Sequence, residues 1–278
     1  MYECLSKNPG LIILDDPISS FDKNKKFAIL EMLFRRASGE CLKNRTVLML
    51  THDVEPVIDT LKSVRKLFNN LVTASCLRLS AGVLEELPVN DGDIMTFMQI
   101  CKSITASADC EDIIKLIYLR RYFEIVDERG DAYQLLSNLF HRRVVPLDHR
   151  EPAAAGTDYP EMAPEKIQQA RRDIREYVDS FDYPRLLTLV SSPDEIKNLY
   201  RRCRNGYEKL QVFRLLELDQ DHPVIRKFVN ETYHIENEFI CQLDPSRFDL
   251  IPEYVILECD KLIALPPAAN QSSVARTA

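Results

Sequence analysis

The stretch Leu11-Ile12-Ile13-Leu14-Asp15-Asp16-Pro17-Ile18-Ser19-Ser20-Phe21-Asp22 sets two consecutive carboxylates directly after four apolar residues. Such a continuous apolar run, entered through Pro9-Gly10, reads as a strand buried on both faces. Its two acids then emerge at the C-terminal edge of a parallel sheet, where open α/β folds hold ligands. Successive strand side chains point to opposite faces, so the two acids have different tasks. Asp15 is suited to hold Mg²⁺, directly or through water, because a hard cation beside a nucleotide takes oxygen ligands and keeps part of its hydration shell. Asp16 is suited to orient and polarise a water that attacks a γ-phosphate. Adjacent carboxylates repel each other, and a bound cation relieves that repulsion.

A second buried strand, Thr46 to Leu50, ends in Thr51-His52-Asp53 at the same expected edge. His52 can hydrogen-bond a γ-phosphate oxygen and report its presence. A lone histidine after a strand is most often structural. One that lies 36 positions after Asp16, at the end of the next strand, carries more weight.

The elements that must position these residues are legible. Asp22 can cap a helix carrying apolar Phe27, Ile29, Leu30, Met32, Leu33 and Phe34, with Gly39 as its stop. Two parallel strands joined by that helix make a βαβ crossover. Another helix is expected from Val54 to about Phe68. Residues 74–79 and 83–87, around Ser80-Ala81-Gly82, read as a hairpin.

Together these motifs resemble the Walker B, D-loop and switch-histidine elements of ATP-binding-cassette ATPases. Leu14-Asp15-Asp16-Pro17 is similar to that family's strand-Asp-Glu-Pro, Ser19-Ser20-Phe21-Asp22 to its D-loop, and His52 to its switch histidine. The nearest branch is the chromosome-maintenance and DNA-repair type, particularly bacterial ATPases associated with anticodon nucleases and phage defence. Tyr233-His234-Ile235-Glu236-Asn237 and Gln242-Leu243-Asp244-Pro245 look like that group's C-terminal region. The resemblance implies an α/β fold, a partial P-loop NTPase sheet with a mainly helical C-terminal region, acting on ATP with Mg²⁺. It implies Asp15 as metal ligand, Asp16 and His52 as catalytic residues, and Ser19 and Asp22 reaching across a head-to-head dimer interface toward the partner's nucleotide.

Two departures qualify it. Asp16 stands where the family has Glu, one methylene shorter. No G-x-x-x-x-G-K-[ST] phosphate loop occurs among the seven glycines, and the family's Leu-Ser-Gly-Gly-type signature is absent too. Without the backbone N–H groups and lysine that cradle the β- and γ-phosphates, the sequence describes half an ATPase, to be completed by an N-terminal half that carries the loop. The alternative is an inactive remnant serving as a helical interaction module.

The domain reading places the ATPase part in residues 1–90, a helical extension in 91–265 and a disordered tail in 266–278. Scarce glycine favours helix. Helices are expected over roughly 93–106, 110–127, 131–140, 165–180, 193–217 and 223–242. Ser192-Pro193-Asp194-Glu195 forms a capping-box start, and residues 144–164 read as a proline-rich loop.

With 36 Lys+Arg against 43 Asp+Glu, the chain has no overall electrostatic case for nucleic acid, although a nucleic-acid or nuclease effector is a partner the family resemblance allows. The arginine clusters at 120–121, 142–143, 171–172 and 201–204 read first as solvated helix faces. Arg143 and His149 have the spacing of a helical nuclease pair, but Pro146 lies between them, so no RNase chemistry is assigned. Glu231-x-x-His234 is half of a di-iron motif without its second half. Eight cysteines with no C-x-x-C pair and no leader sequence suggest reduced thiols in the cytoplasm. No apolar run reaches membrane-spanning length.

Overall fold

The computed structural model describes residues 7–18, 23–35, 42, 45–69, 71–80, 82–151, 159–218, 222–227, 241–245, 247–248 and 251–264. The chain is mixed α/β, with three two-stranded sheets among the described residues and many helices. It divides into two compact units, residues 1–100 with 238–248 and residues 101–237 with 249–278.

In the first unit, β1 (Ile12–Asp15) and β2 (Val47–Leu50) pair in parallel, with Ile12 opposite Val47 and Asp15 opposite Leu50. Helix α1 (Lys23–Arg35) lies between them in sequence. Ile12, with partly buried Leu14, Val47 and Met49, packs against Leu30, Leu33 and Phe34 of α1 and against Ile18 and Leu42. The other face differs from the sequence expectation. Leu11, Ile13, Leu48 and Leu50 remain 43–59% exposed, so each strand is buried on one face only. A parallel pair normally has both faces covered. Among the described residues, the layer that would cover the second face is missing.

After β2 the chain enters α2 (Val54–Asp59), then a π turn over Thr60–Val64 and a 3-10 turn over Arg65–Phe68, in place of the one continuous helix expected. The hairpin of β3 (Ala74–Ser80) and β4 (Val83–Val89) closes through two residues. Gly82, at φ 80°, supplies the left-handed backbone that such tight turns require. Ala74, Cys76, Leu87 and Val89 pack onto a core of Ile58, Leu61, Ile94, Leu243 and Phe248.

Ile94 and Leu243 belong to a strand pair the sequence reading does not contain. β5 (Ile94–Thr96) runs antiparallel to β6 (Cys241–Leu243). The helix expected from 93 therefore begins only at Phe97, as α3 (Phe97–Ala106), and the C-terminal end of the helix expected over 223–242 is strand. The pairing is secured by burial of Ile94 and Leu243, by the Asp244 amide donating to the Asp93 carbonyl at 2.8 Å, and by an ion pair between Arg247 and Asp93.

The second unit is helical: α4 (Asp112–Ile125), α5 (Asp131–Phe140), α6 (Pro164–Arg175), α7 (Tyr183–Ser191), α8 (Pro193–Arg202), α9 (Gly206–Arg214), α10 (Pro223–Lys227) and α11 (Glu253–Ala264). The single helix expected over 193–217 is two. α8 starts at its Ser192 cap, and α9 restarts after Asn205, whose side chain accepts from the Glu208 amide at 2.9 Å. Leu116, Leu135, Leu136, Ile174, Leu186, Ile196, Leu210 and Phe213 are all fully buried. Asn138, also fully buried, donates to the Gln134 and Leu147 carbonyls, both at 2.8 Å, and accepts from the Leu147 amide at 2.9 Å. One satisfied amide thus ties the segment after α5 to that helix.

Candidate functional site

The acidic pair and the histidine sit at one end of the β1–β2 ribbon. Asp15 is the last residue of β1, opposite Leu50. The ladder continues for one more bond, from the Asp16 amide to the Leu50 carbonyl at 2.8 Å. Asp16 then turns out of the strand with φ 46°, a left-handed conformation that aspartate tolerates better than most residues and that is a recurring feature of functional turns. On the other strand, Thr51 and His52 follow Leu50 directly. His52 Nδ1 lies 2.9 Å from Asp16 Oδ2, and Thr51 Oγ1 lies 3.5 Å from Asp16 Oδ1. Two residues 36 positions apart are therefore in direct contact.

The contact brings the imidazole edge against the carboxylate, an ion pair when the ring is protonated. The ring's Nε2 is left for another partner, and the side chain is three-quarters exposed. Asp15 is exposed and makes no hydrogen bond or ion pair among the described residues. Its oxygens are available to a hard cation.

Behind His52 the backbone is braced. The Asp53 amide donates to Thr51 Oγ1 at 3.1 Å, and the Asp53 carboxylate caps α2 by accepting from the Glu55 amide at 3.2 Å. Lys26 of α1 forms an ion pair with Asp53 and lies 3.7 Å from Glu55. Burial pushes the Asp53 carboxyl up, but the Lys26 ammonium and the Glu55 amide together outweigh burial and hold it below its ordinary value. The same hydrogen bond from Lys26 to Asp53 raises the lysine. This brace fixes the Thr51–His52 turn against α1.

Among the described residues, no group of three His, Cys, Asp or Glu side chains could hold a metal by itself. A Mg²⁺ site of the nucleotide type does not need one, since one or two carboxylates, waters and phosphate oxygens make up the shell. The free carboxylate of Asp15 beside the engaged carboxylate of Asp16 fits that requirement. Ser19 and Asp22 lie outside the described residues, as do Glu231, His234 and the segment 233–237.

Lys26 and Asp53 are site residues the sequence reading did not single out. Asp53 could have been found as an N-cap ahead of the helix starting at Val54. Lys26 could not be told from Lys23 and Lys25. In the helical unit, burial pushes the Cys101 and Cys203 thiols up to about 12, so neither is a thiolate nucleophile at neutral pH. No helix among the described residues is long and apolar enough to cross a membrane.

No protein-family model, curated protein or solved structure matches the chain.

Proposed function

We propose that residues 1–90 form the Walker B and switch-histidine half of an ABC-type ATPase head, competent for MgATP only when a phosphate loop is supplied from elsewhere, on a separate polypeptide or in a longer form of the same chain. The single observation that carries this reading is the 2.9 Å contact between His52 and Asp16 at the end of a parallel strand pair. The parallel register, with Asp15 opposite Leu50, brings the strand ends together, and the residue types that meet there are those the family resemblance calls for around a γ-phosphate. The uncovered face of β1 and β2 agrees with it, because a parallel sheet this small is incomplete.

In this reading Asp15 holds Mg²⁺, and the ion when bound offsets the negative charge that the triphosphate and the neighbouring acids bring together. Asp16 accepts hydrogen bonds and is placed to orient the attacking water. His52 keeps Nδ1 beside Asp16 and, as an imidazolium, donates Nε2–H to a γ-phosphate oxygen, so that the water-orienting group and the phosphate sensor are linked through one ring. Thr51, Asp53 and Lys26 position that ring. The helical unit then couples nucleotide state to an effector of a defence or nucleic-acid-associated system, with two heads sandwiching the nucleotides.

Co-expression with a phosphate-loop polypeptide encoded beside this chain's gene tests the assignment. In the completed assembly, Asp16→Ala should reduce hydrolysis by about 100-fold or more while leaving MgATP affinity within about threefold, the pattern of a group acting mainly in the transition state. Equal loss of both would overturn the role given to Asp16. The competing reading, an inactive remnant that contributes a helical surface, draws on the missing phosphate loop and predicts no hydrolysis in any such assembly.

A further inference from the structure

The helical unit holds a concave pocket of about 440 Å³ around the C-terminal end of α5, a volume within the range of small-molecule sites. Arg129, Arg143, Arg150, His141 and His149 line it. Among its described lining residues there is no carboxylate; the others are Tyr133, Gln134 and Ser137. Arg143 and His149, set apart in sequence by Pro146, thus come to one cavity.

The cations differ in what they have left to bind. Arg150 is engaged, with Nη2 at 2.8 Å from Asp148 and 2.5 Å from Asp131. Its hydrogen bonds hold the Asp148 carboxyl well below the usual carboxylate range. Arg129 has one contact, 3.3 Å to Asp127, and is mostly exposed. The Arg143 guanidinium has no hydrogen bond or ion pair among the described residues. This sets it apart from Arg120, Arg142, Arg202 and Arg204, each paired with a carboxylate or carbonyl.

The two histidines are held in place. His141 Nδ1 donates to the Ser137 carbonyl at 2.7 Å, so Nε2 donates to an oxyanion only when the ring is protonated. The His149 ring packs edge-on against Tyr159 at 4.8 Å, and its amide donates to Gln134 at 3.3 Å. The Tyr133 hydroxyl donates to Glu124 at 3.0 Å, so its proton is not offered to a ligand.

An uncommitted guanidinium fork and a second, loosely held one in a cavity whose described lining has no carboxylate are matched by a multiply charged oxyanion. We propose that this pocket binds a phosphate ester, carried by a free nucleotide or by the backbone of a single-stranded RNA.

The test uses the full chain in EDTA, so that the Asp15–Asp16 pair cannot recruit phosphate through Mg²⁺ and failure here leaves the ATPase reading untouched. AMP is titrated by calorimetry and a short fluorescein-labelled single-stranded RNA by anisotropy. Saturable binding of AMP points to a free nucleotide, and of RNA alone to a polynucleotide; either supports the site. The double variant Arg129→Gln/Arg143→Gln should bind at least about tenfold more weakly. In the RNA arm its dependence of log affinity on log salt should fall by about 0.7 for each phosphate no longer neutralised by an arginine, which a merely structural role would not produce. The fold should tolerate the change at 143, because Tyr183 bonds to the Arg143 backbone carbonyl, at 2.7 Å, and not to its side chain. Absence of saturable binding of either probe by the unaltered chain overturns the proposal without reference to any variant. So does a double variant with unchanged circular dichroism that binds as tightly as the unaltered chain.

Discussion

The two units solve the problem of burying apolar surface differently. In the helical unit, apolar residues spaced along α4 to α9 meet one another, and large side chains from every one of these helices, Leu116, Leu135, Ile174, Leu186, Ile196 and Phe213 among them, are fully out of water. In the α/β unit, the ribbon β1–β2 is as apolar on its exposed face as on its packed one, and Leu11, Ile13, Leu48 and Leu50 face solvent. The first region carries within its own sequence everything its core needs. The second leaves one face of its parallel strand pair exposed, and its polar site sits at the end of those strands.

That difference can be broken most sharply by truncation. Leu135→Ala, in the closed core, should cost about 3 kcal/mol in urea unfolding, whereas Ile13→Thr, on the open face, should change stability by no more than about 0.5 kcal/mol. Comparable losses at the two positions would mean that the open face is covered in solution.

The next largest effect is electrostatic and belongs to the closed unit. Asp148 is buried and accepts from Arg150 and from Lys166, the latter at 2.9 Å. Asp148→Asn should cost about 2 kcal/mol at pH 7. Because the folded carboxyl is held below its unfolded value, this contribution is complete above about pH 4 and is lost as pH falls through the folded-state titration. Thermal melts should show the gap between the two proteins narrowing steadily from pH 4 downward. A gap that does not change with pH would detach the effect from ionisation.

The smallest effect sharpens the contrast from the open side. Asp53→Ala removes both the cap of α2 and the ion pair to Lys26, and should cost about 1 kcal/mol. The loss should appear as faster hydrogen exchange at the first amides of α2, with exchange in α4 to α9 unaltered. Global acceleration would show that the two units unfold together.

How far the sequence could be read follows the same division. The strands at Ile12 and Val47, the hairpin around Gly82 and helix 131–140 were legible because each is a local pattern: an apolar run, a turn residue, a helical period. The break between α8 and α9 was not, since apolar residues continue at helical spacing through it, and only Asn205-Gly206 marks the restart. α7 and α11 were missed although Asp182 and Pro252 stand at their starts. β5 and β6 could not have been found by pattern, because three-residue strands from distant parts of the sequence have no period, and their pairing depends on burial of Ile94 and Leu243 in a shared core. At the candidate site, Asp15, Asp16 and His52 stood out by type and position at strand ends. Lys26 depends on which of three lysines α1 turns toward Asp53, which is a tertiary fact.

The central claim, that Asp15, Asp16 and His52 are half of a nucleotide site, is tested most directly by equilibrium titration of a non-hydrolysable ATP analogue with Mg²⁺ into the purified chain, alone and with the phosphate-loop polypeptide. The prediction is no saturable binding at micromolar concentrations to the chain alone and micromolar binding to the pair, abolished by Asp15→Ala. Micromolar Mg²⁺-dependent binding to the chain alone, or binding by the pair that is indifferent to Asp15, would contradict it.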